Sequence, residues 1–221
     1  SRPLTWALGF ALLGTACGAS GPRAAQGNGD VAGNDAAARC RTKVAHASFR
    51  PIDAGGAGST VALATLDGKT LAYVADEDDS ALHVVDIDTN VQVAEVPLRG
   101  KPSQLIALAD GRLVVALRDK GGMQVLEVGN AAEAPAERCV VETGTEPVAL
   151  ATTPDQKTLL VSHGWGHSLD TFDVSRMAKV RHVDLPREPR AIIVTDDGTQ
   201  AYVAHSVGAK MSVVDLKDTS A

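Results

Sequence analysis

The chain has 221 residues, of which 44% are hydrophobic and only 3% aromatic, and its formal net charge is −6. This length and apolar content suffice to bury a core in which small aliphatic side chains predominate. The negative charge and the lack of any run of Lys and Arg argue against a nucleic-acid partner, which needs a basic footprint for phosphates. Three cysteines are too few for a scaffold built on disulfides.

The first 17 residues have the pattern of a bacterial lipoprotein signal peptide. Arg2 precedes the apolar stretch Leu4–Leu13, which is too short to span a membrane as a helix, and small residues then lead to Cys17. These residues resemble a lipobox, in which the cysteine thiol is acylated and the cysteine becomes the new N-terminus. Gly14 departs from the pattern, because leucine is preferred three residues before the cysteine. We predict lipidation of Cys17, the alternative being ordinary signal cleavage beside an incidental cysteine.

Residues 18–39 form a predicted flexible linker. The segment is rich in Ala and Gly, and Val31 is its one larger aliphatic residue. Such a segment cannot offset the entropy lost on ordering by burying apolar surface. We therefore expect a tether between Cys17 and a folded domain that covers residues 40–221.

Within this domain one sequence unit occurs four times, with a period of about 43 residues. Its clearest copy, Glu188–Leu216, has three short apolar runs separated by Asp197-Gly198 and by a second turn signal at Gly208. Short runs rich in Val, Ile and Tyr between such turns predict antiparallel strands with tight connections. The equivalent turn acids are Asp67, Asp110, Asp155 and Asp197, and a proline stands eight residues before each of the last three. Proline at that place fits the entry to a strand, and the period is typical of a four-stranded propeller blade.

The repeat resembles the YVTN-type β-propeller family, named for a Tyr-Val-Thr-Asn run at the end of the second strand. The matching residues are Tyr73–Asp76 and Tyr202–His205, whereas the copies Val114–Leu117 and Leu160–His163 depart further. The resemblance implies an all-β fold of four-stranded antiparallel blades. It covers the region from residue 40 to the end and indicates a fold more specifically than a function, because propellers host many unrelated activities.

Three complete blades and a fourth with three strands follow from this pattern. The complete blades cover Ser59–Leu98, Pro102–Val141 and Pro147–Leu185. A further strand is predicted at Val44–Phe49, where it matches the outer strand of a preceding blade. Either this strand closes a four-bladed ring, or the chain is a truncated propeller. We favour the second alternative, because members of the family mostly have seven blades.

The sequence leaves the partners of Cys40 and Cys139 open. A disulfide is permitted in an exported protein, and Cys139 lies in a predicted outer strand past which the N-terminal segment can run. Nothing in the sequence brings the two thiols within bonding distance, and a partner cysteine outside this chain is an equal alternative.

Candidate ligand-binding residues lie in the connections that follow the second strand of each blade. In a propeller of this pattern these connections share one face with those after the fourth strand, around the mouth of the central channel. The candidates are Asp76, Asp78, Arg118, His163, Trp165, His167 and His205.

Two of these groups suggest metal chemistry. The run Asp76–Asp79 offers ligands for a hard cation but lacks the glycine and the distal glutamate of an EF-hand loop, so we favour a solvated turn. His163, His167 and His205 offer imidazoles, but no His-Glu-x-x-His or Cys-x-x-Cys-His motif occurs. We favour histidines that close turns by hydrogen bonding, and we assign no metal and no cofactor.

The sequence predicts a binding module. It contains no Gly-x-Ser-x-Gly elbow, no phosphate loop and no nucleophile paired with a base, so no catalytic residue is assigned and enzymatic activity is not expected. We expect a lipid-anchored protein of the bacterial cell envelope, facing the outer membrane or the periplasm, with a protein or small-molecule ligand of unknown identity.

Two alternatives come from the resemblance. Related propellers include subunits of quinoprotein amine dehydrogenases, and some are fused to cytochromes. The chain is then the propeller part of a periplasmic redox protein whose cofactor-binding region lies outside it. A lactonase-type hydrolase is a third and weaker hypothesis.

Lipidation can be tested directly. In a bacterial host the wild-type chain should fractionate with membranes and dissolve in detergent, because the acyl chains insert into the bilayer. Cys17→Ser should release the chain or leave it unprocessed. Equal membrane association of the two forms would contradict the prediction.

Overall fold

A computed structural model describes residues 38–41, 46–52 and 56–217. The predicted signal peptide, Cys17 and nearly all of the linker lie outside these described residues. Within them, no helix has the length and apolar character that a membrane crossing requires.

The described chain consists almost entirely of antiparallel strands in four sheets. The first sheet contains β1 (Arg50–Ile52), β2 (Val61–Leu66), β3 (Lys69–Asp76), β4 (Ala81–Asp86) and β5 (Val91–Pro97). The second contains β6 (Pro102–Ala107), β7 (Arg112–Leu117), β8 (Gly122–Glu127) and β9 (Ala136–Glu142). The third contains β10 (Pro147–Thr152), β11 (Thr158–His163), β12 (Ser168–Asp173) and β13 (Ala178–Asp184). The fourth contains β14 (Pro189–Val194), β15 (Gln200–His205) and β16 (Met211–Asp215).

Local sequence signals determine where these strands begin and turn. Pro102, Pro147 and Pro189 are the first residues of β6, β10 and β14, as predicted. In the first hairpin Asp67 and Gly68 both have positive φ, at 51° and 80°, which is the geometry of a tight Asp-Gly turn. The predicted repeat and its blade boundaries are therefore confirmed to within a few residues.

The four sheets stack face to face in chain order. Strands β2, β6, β10 and β14 are neighbours in that order, and three apolar clusters fill the spaces between consecutive sheets. In β11 and β15, for example, Leu160 and Val203 face each other across the third and fourth sheets within one cluster. Antiparallel sheets packed face to face in chain order, with their inner strands adjacent, form an arc of a β-propeller.

The predicted strand Val44–Phe49 is wrong. Residues 42–45 lie outside the described ranges, residues 46–49 form a turn in which Phe49 N–H donates to His46 O, and the strand observed is β1. β1 pairs with the inner strand β2, with Pro51 opposite Ala64, so it does not complete the fourth sheet. Pro51 is tolerated because β1 is an edge strand whose missing N–H breaks no ladder.

The chain after β1 crosses the inner edges of the next two sheets. Ser59 exchanges two backbone hydrogen bonds with Leu105, at 3.1 and 2.7 Å, and Gly58 N–H donates to Leu150 O at 2.7 Å. A Cβ on Gly58 would lie 2.9 Å from Leu150 O, so the close approach requires glycine. This segment therefore covers inner strands that would otherwise line a channel.

A disulfide between Cys40 and Cys139 fastens the N-terminal segment to outer strand β9. This observation resolves the open cysteine pairing. Arg112, which is only 3% exposed, donates to Cys40 O at 2.9 Å and to Val174 O at 2.8 Å. Arg138 donates to the carbonyl oxygen of Arg39 at 3.1 Å, so two arginines and one covalent bond hold this segment.

The disulfide should contribute measurably to stability. It closes a loop of 99 residues, and loss of a bridge of this kind costs about 2–5 kcal/mol of unfolding free energy. The double variant Cys40→Ser/Cys139→Ser should therefore unfold at lower urea concentration under non-reducing conditions, as should the wild type with reductant. Cys17→Ser is the matched control. A double variant as stable as this control would contradict the prediction.

Candidate functional site

The predicted site residues lie at the ends of β3, β11 and β15 and in the connections that follow β3, β7 and β11. Asp76, His163 and His205 are the last residues of their strands, while Asp78, Arg118, Trp165 and His167 lie in the connections. Together with the connections that enter β6, β10 and β14 they form one face of the arc. We refer to it as the loop face.

Glu146, just before β10, is the centre of an ionic chain across this face. Its Oε1 lies 3.0 Å from Arg118 Nη2 and 3.4 Å from Arg190 Nη1, although the Glu146 side chain is only 10% exposed. Arg118 also contacts Glu77 at 3.2 Å, and Arg190 contacts Glu188. The chain of alternating charges therefore links connections from all four sheets, and Glu146 is buried with two cationic partners, as a buried carboxylate requires.

Glu146 also fixes the loop that presents Trp165. Its Oε2 accepts the N–H of Trp165 at 3.0 Å, and its backbone oxygen accepts the N–H of Gly164 at 2.9 Å. A Cβ on Gly164 would lie 2.5 Å from Glu146 Oε2 and 3.1 Å from Arg190 Nη1, so a larger residue here would displace the ends of these two side chains. Trp165 itself is 68% exposed. The result is a tryptophan held out to solvent on a loop with a fixed backbone.

His163 lies in the interior, beneath this loop. The ring is fully buried, its Nε2 accepts the N–H of Gly144 at 2.9 Å, and its Nδ1 lies 3.2 Å from Ser168 Oγ. Because Nε2 is the acceptor, the proton of the neutral ring is assigned to Nδ1, which donates to Ser168. His163 is therefore oriented as a donor toward this hydroxyl and not as its base. Asp170 Oδ2 lies 3.9 Å from His163 Nε2, so the three side chains resemble a catalytic triad only in residue type.

Burial lowers the pKa of His163 to about 4, and the nearby Asp170 carboxylate opposes that shift. Asp170 is also fully buried, and its charge is balanced by Lys179 Nζ at 2.8 Å and His182 Nδ1 at 2.6 Å. The cationic groups on Lys179 and His182 disfavour a further proton on His163. A neutral His163 is thus part of the packed interior of the third sheet.

His205 occupies the equivalent position in the fourth sheet. Its Nδ1 donates to Arg187 O at 2.9 Å, and its Nε2 lies 2.8 Å from Ser212 Oγ, which can donate to it. His167, which follows Trp165, has φ of 49°, and Leu185 N–H donates to its carbonyl oxygen. These contacts close turns, and His163, His167 and His205 do not form a metal-ligating group among the described residues.

A different set of side chains is brought together on the first sheet. Ligand atoms of Asp76, Asp79 and His83 all lie within 4.8 Å of one another, which holds for no other group of three or more His, Cys, Asp and Glu in the described ranges. Asp78 is not part of the group. Its N–H donates to Asp76 Oδ1 at 2.9 Å and so helps to shape the turn.

Sequence reasoning missed three residues here: Glu146, Arg190 and His83. Glu146 could have been found, because Glu146-Pro147 and Glu188-Pro189 repeat one dipeptide at equivalent strand entries. His83 interrupts the apolar strand β4, which is a weaker signal. Arg190 has no local signal, since its role depends on a contact with the preceding sheet.

A cavity of about 420 Å³ lies at the opposite face, between the third and fourth sheets. Its lining includes Asp155, Thr171, Arg181 and Asp197. Asp155 and Asp197 are the turn acids of their hairpins, and each accepts hydrogen bonds that close its own turn. We assign no function to this cavity.

Comparison with known proteins supports the architecture. The sequence matches no protein-family model and no curated protein. Hydrazine synthase from Kuenenia stuttgartiensis is similar, with a TM-score of 0.61 and 19% identity over 67% of this chain and 44% of its own. The periplasmic gluconolactonase of Pseudomonas aeruginosa has a TM-score of 0.61 and 18% identity over 66% of this chain and 46% of its own. The Swd1 β-propeller domain of Myceliophteria thermophila has a TM-score of 0.54 and 14% identity over 67% of this chain and 50% of its own.

The fold is a partial β-propeller. Because the sequence identities are low, these structural similarities establish the fold and no function. The chain spans about half the length of each of these solved structures. Membership of the YVTN-type family stays a prediction.

His163 should make the protein sensitive to mild acid. Its pKa is about 4 in the folded state, against an ordinary histidine pKa of 6.5, so the unfolded chain binds a proton first as the pH falls. Stability should therefore be lost between about pH 6.5 and 4, by up to roughly 3 kcal/mol. Carboxylates whose pKa is lowered, such as Asp155 and Asp197, lose their contribution only at lower pH.

Urea unfolding at several pH values measures this loss. His163→Gln should flatten the dependence between pH 6.5 and 4, because glutamine does not titrate. His167→Gln, a change in the same loop, should keep the wild-type dependence. An unchanged slope in His163→Gln would show that other groups cause the acid sensitivity.

Proposed function

We propose that the chain is a binding module that holds a protein partner on its loop face, with Trp165 as the central anchor. The observation that carries this proposal is the exposed Trp165 side chain on a loop fixed by Glu146. A large aromatic side chain on a backbone that is already fixed gains contact area on binding while only its own side-chain torsions have still to be ordered.

The surroundings of Trp165 favour a protein over a small ligand. Arg118 and Arg190, each about one third exposed, flank the loop and are oriented by the same Glu146 carboxylate. Trp and Arg are the residue types that dominate binding energy at protein interfaces. The alternating charges of the ionic chain also provide polar complementarity around an aromatic centre.

Export and anchoring at the cell envelope are part of the proposal. The lipobox-like sequence before Cys17 supports a lipid anchor, and the Ala- and Gly-rich composition of residues 18–39 supports a tether. The disulfide between Cys40 and Cys139 supports an oxidising compartment, where such bonds persist. A partner in the periplasm or at the outer membrane fits this placement.

The redox and hydrolase alternatives have less support. A redox role needs a cofactor-binding region outside this chain, so it stays a prediction from the resemblance. A hydrolase needs an accessible nucleophile, whereas Ser168 is buried and accepts a hydrogen bond from His163.

Site-specific photo-cross-linking tests the proposal in the cell envelope. A photoreactive amino acid at Trp165 should trap a discrete protein partner. Val91 is the control position, because it is also exposed, at 54%, but lies at the end of its sheet opposite the loop face. The same photoreactive group at Val91 should trap no partner. With the trapped partner purified, Trp165→Ala should weaken binding about 30-fold or more, as expected for a hot-spot residue worth about 2 kcal/mol, while Val91→Ala should bind normally.

The outcomes separate the hypotheses. Identical products from both positions would indicate non-specific contact and would contradict the proposal. Equal affinities of Trp165→Ala and Val91→Ala for the partner would remove Trp165 as the anchor.

A further inference from the structure

We propose that Asp76, Asp79 and His83 form a binding site for a first-row transition metal ion, and Zn²⁺ is the ion used to test it. The site is independent of the partner-binding function. Asp76 ends β3, and Asp79 lies in the following connection. His83 lies in β4, two residues beyond Ala81, which is the ladder partner of Asp76. Each of the three offers a ligand atom within 4.8 Å of the other two.

Asp76 has one oxygen for the turn and one for the ion. Its Oδ1 accepts the N–H groups of Asp78 and Asp79, at 2.9 and 3.1 Å, and thereby fixes the connection. Its Oδ2 faces His83 Nε2 at 3.7 Å. This separation exceeds a hydrogen bond, but two ligand atoms bound tetrahedrally at about 2.1 Å from zinc lie ~3.4 Å apart. A side-chain movement of a few tenths of an ångström would allow both to ligate the same ion.

His83 is held in place by its strand. Leu82 and Val84 belong to the apolar cluster between the first two sheets, so the alternation of β4 directs His83 to the other face. Glu95 is its neighbour on β5. The ring is 18% exposed, which leaves Nε2 near the surface beside Asp76.

The other ring nitrogen supplies an independent observation. His83 Nδ1 is buried without a hydrogen-bond partner, and Glu95 Oε2 lies 3.7 Å from it. A buried nitrogen left in this state destabilises the fold. A metal ion on Nε2 would place the ring proton on Nδ1, where a small movement of Glu95 lets the carboxylate accept it. Metal-ligating histidines are ordinarily oriented by such a carboxylate.

The ligand chemistry selects the ion. One imidazole with two carboxylates suits zinc and neighbouring divalent metals, whereas Ca²⁺ and Mg²⁺ prefer ligands that are all oxygen. Three protein ligands leave at least one position to water or to an incoming group. Because Asp79 is exposed, that position faces solvent.

Zinc titration into the metal-stripped full chain tests this site. Calorimetry should find one zinc ion bound, with Ca²⁺ binding at least tenfold more weakly. His83→Ala and Asp79→Asn should each reduce zinc affinity at least tenfold. The matched controls are Asp78→Asn, an acidic residue of the same turn, and His167→Gln, a histidine of another connection, and both should bind zinc within about twofold of the wild type.

Thermal unfolding of the metal-free proteins checks that the variants are folded. If His83→Ala does not fold, the zinc affinity of Asp79→Asn decides the test. Zinc should raise the melting temperature of the wild type and of both controls but not of Asp79→Asn. Zinc affinity retained in Asp79→Asn, or no binding by the wild type at millimolar zinc, would overturn the proposal. Ca²⁺ binding as tight as zinc binding would also overturn it, because the imidazole would then have no role.

Discussion

Face-to-face packing of consecutive sheets is the interaction on which the rest of the structure depends. Every residue of β7, in the second sheet, is buried, because sheets cover this strand on both sides. In the fourth sheet, by contrast, Ile193, Met211 and Val213 are more than half exposed, since one face meets the third sheet and the other has no neighbour in the described chain. Apolar residues on both faces of a sheet stabilise it only when both faces are covered. The loop face exists because this stacking aligns equivalent connections.

The parts of the fold that could be predicted from the sequence have local causes. Prolines at strand entries, Asp-Gly turns and alternating apolar residues act within one hairpin, so they indicate strands and period without knowledge of the whole. The prediction placed the strand at Val44–Phe49, because this apolar run satisfies the local pattern of a strand. The observed strand β1 follows it, and its position depends on contacts with residues far along the chain, which no local pattern reveals. The disulfide joins residues 99 positions apart, and no local signal measures such a distance.

The same distinction applies to the candidate site. Trp165 between two glycines and Arg118 after a strand are visible locally, and both lie on the loop face as predicted. What makes them one surface is Glu146, whose carboxylate contacts a different sheet on each side. Its φ of 57° sets the turn before β10, and Glu188 has the same conformation, at 58°, before β14. The repeated backbone conformation therefore places two acidic residues on the loop face. Their roles depend on which residues of the neighbouring sheets they contact.

The histidines illustrate why residue type alone does not identify a metal ligand. A ligating imidazole needs one nitrogen free of a proton and of a protein donor. His163 and His205 use both ring nitrogens in hydrogen bonds that hold neighbouring segments, so coordination would break contacts on which the sheets depend. His83 lies between two carboxylates, each 3.7 Å from a ring nitrogen, and coordination there would add contacts without removing any. Of these three histidines, the one with the least distinctive sequence context therefore has the surroundings that favour a metal.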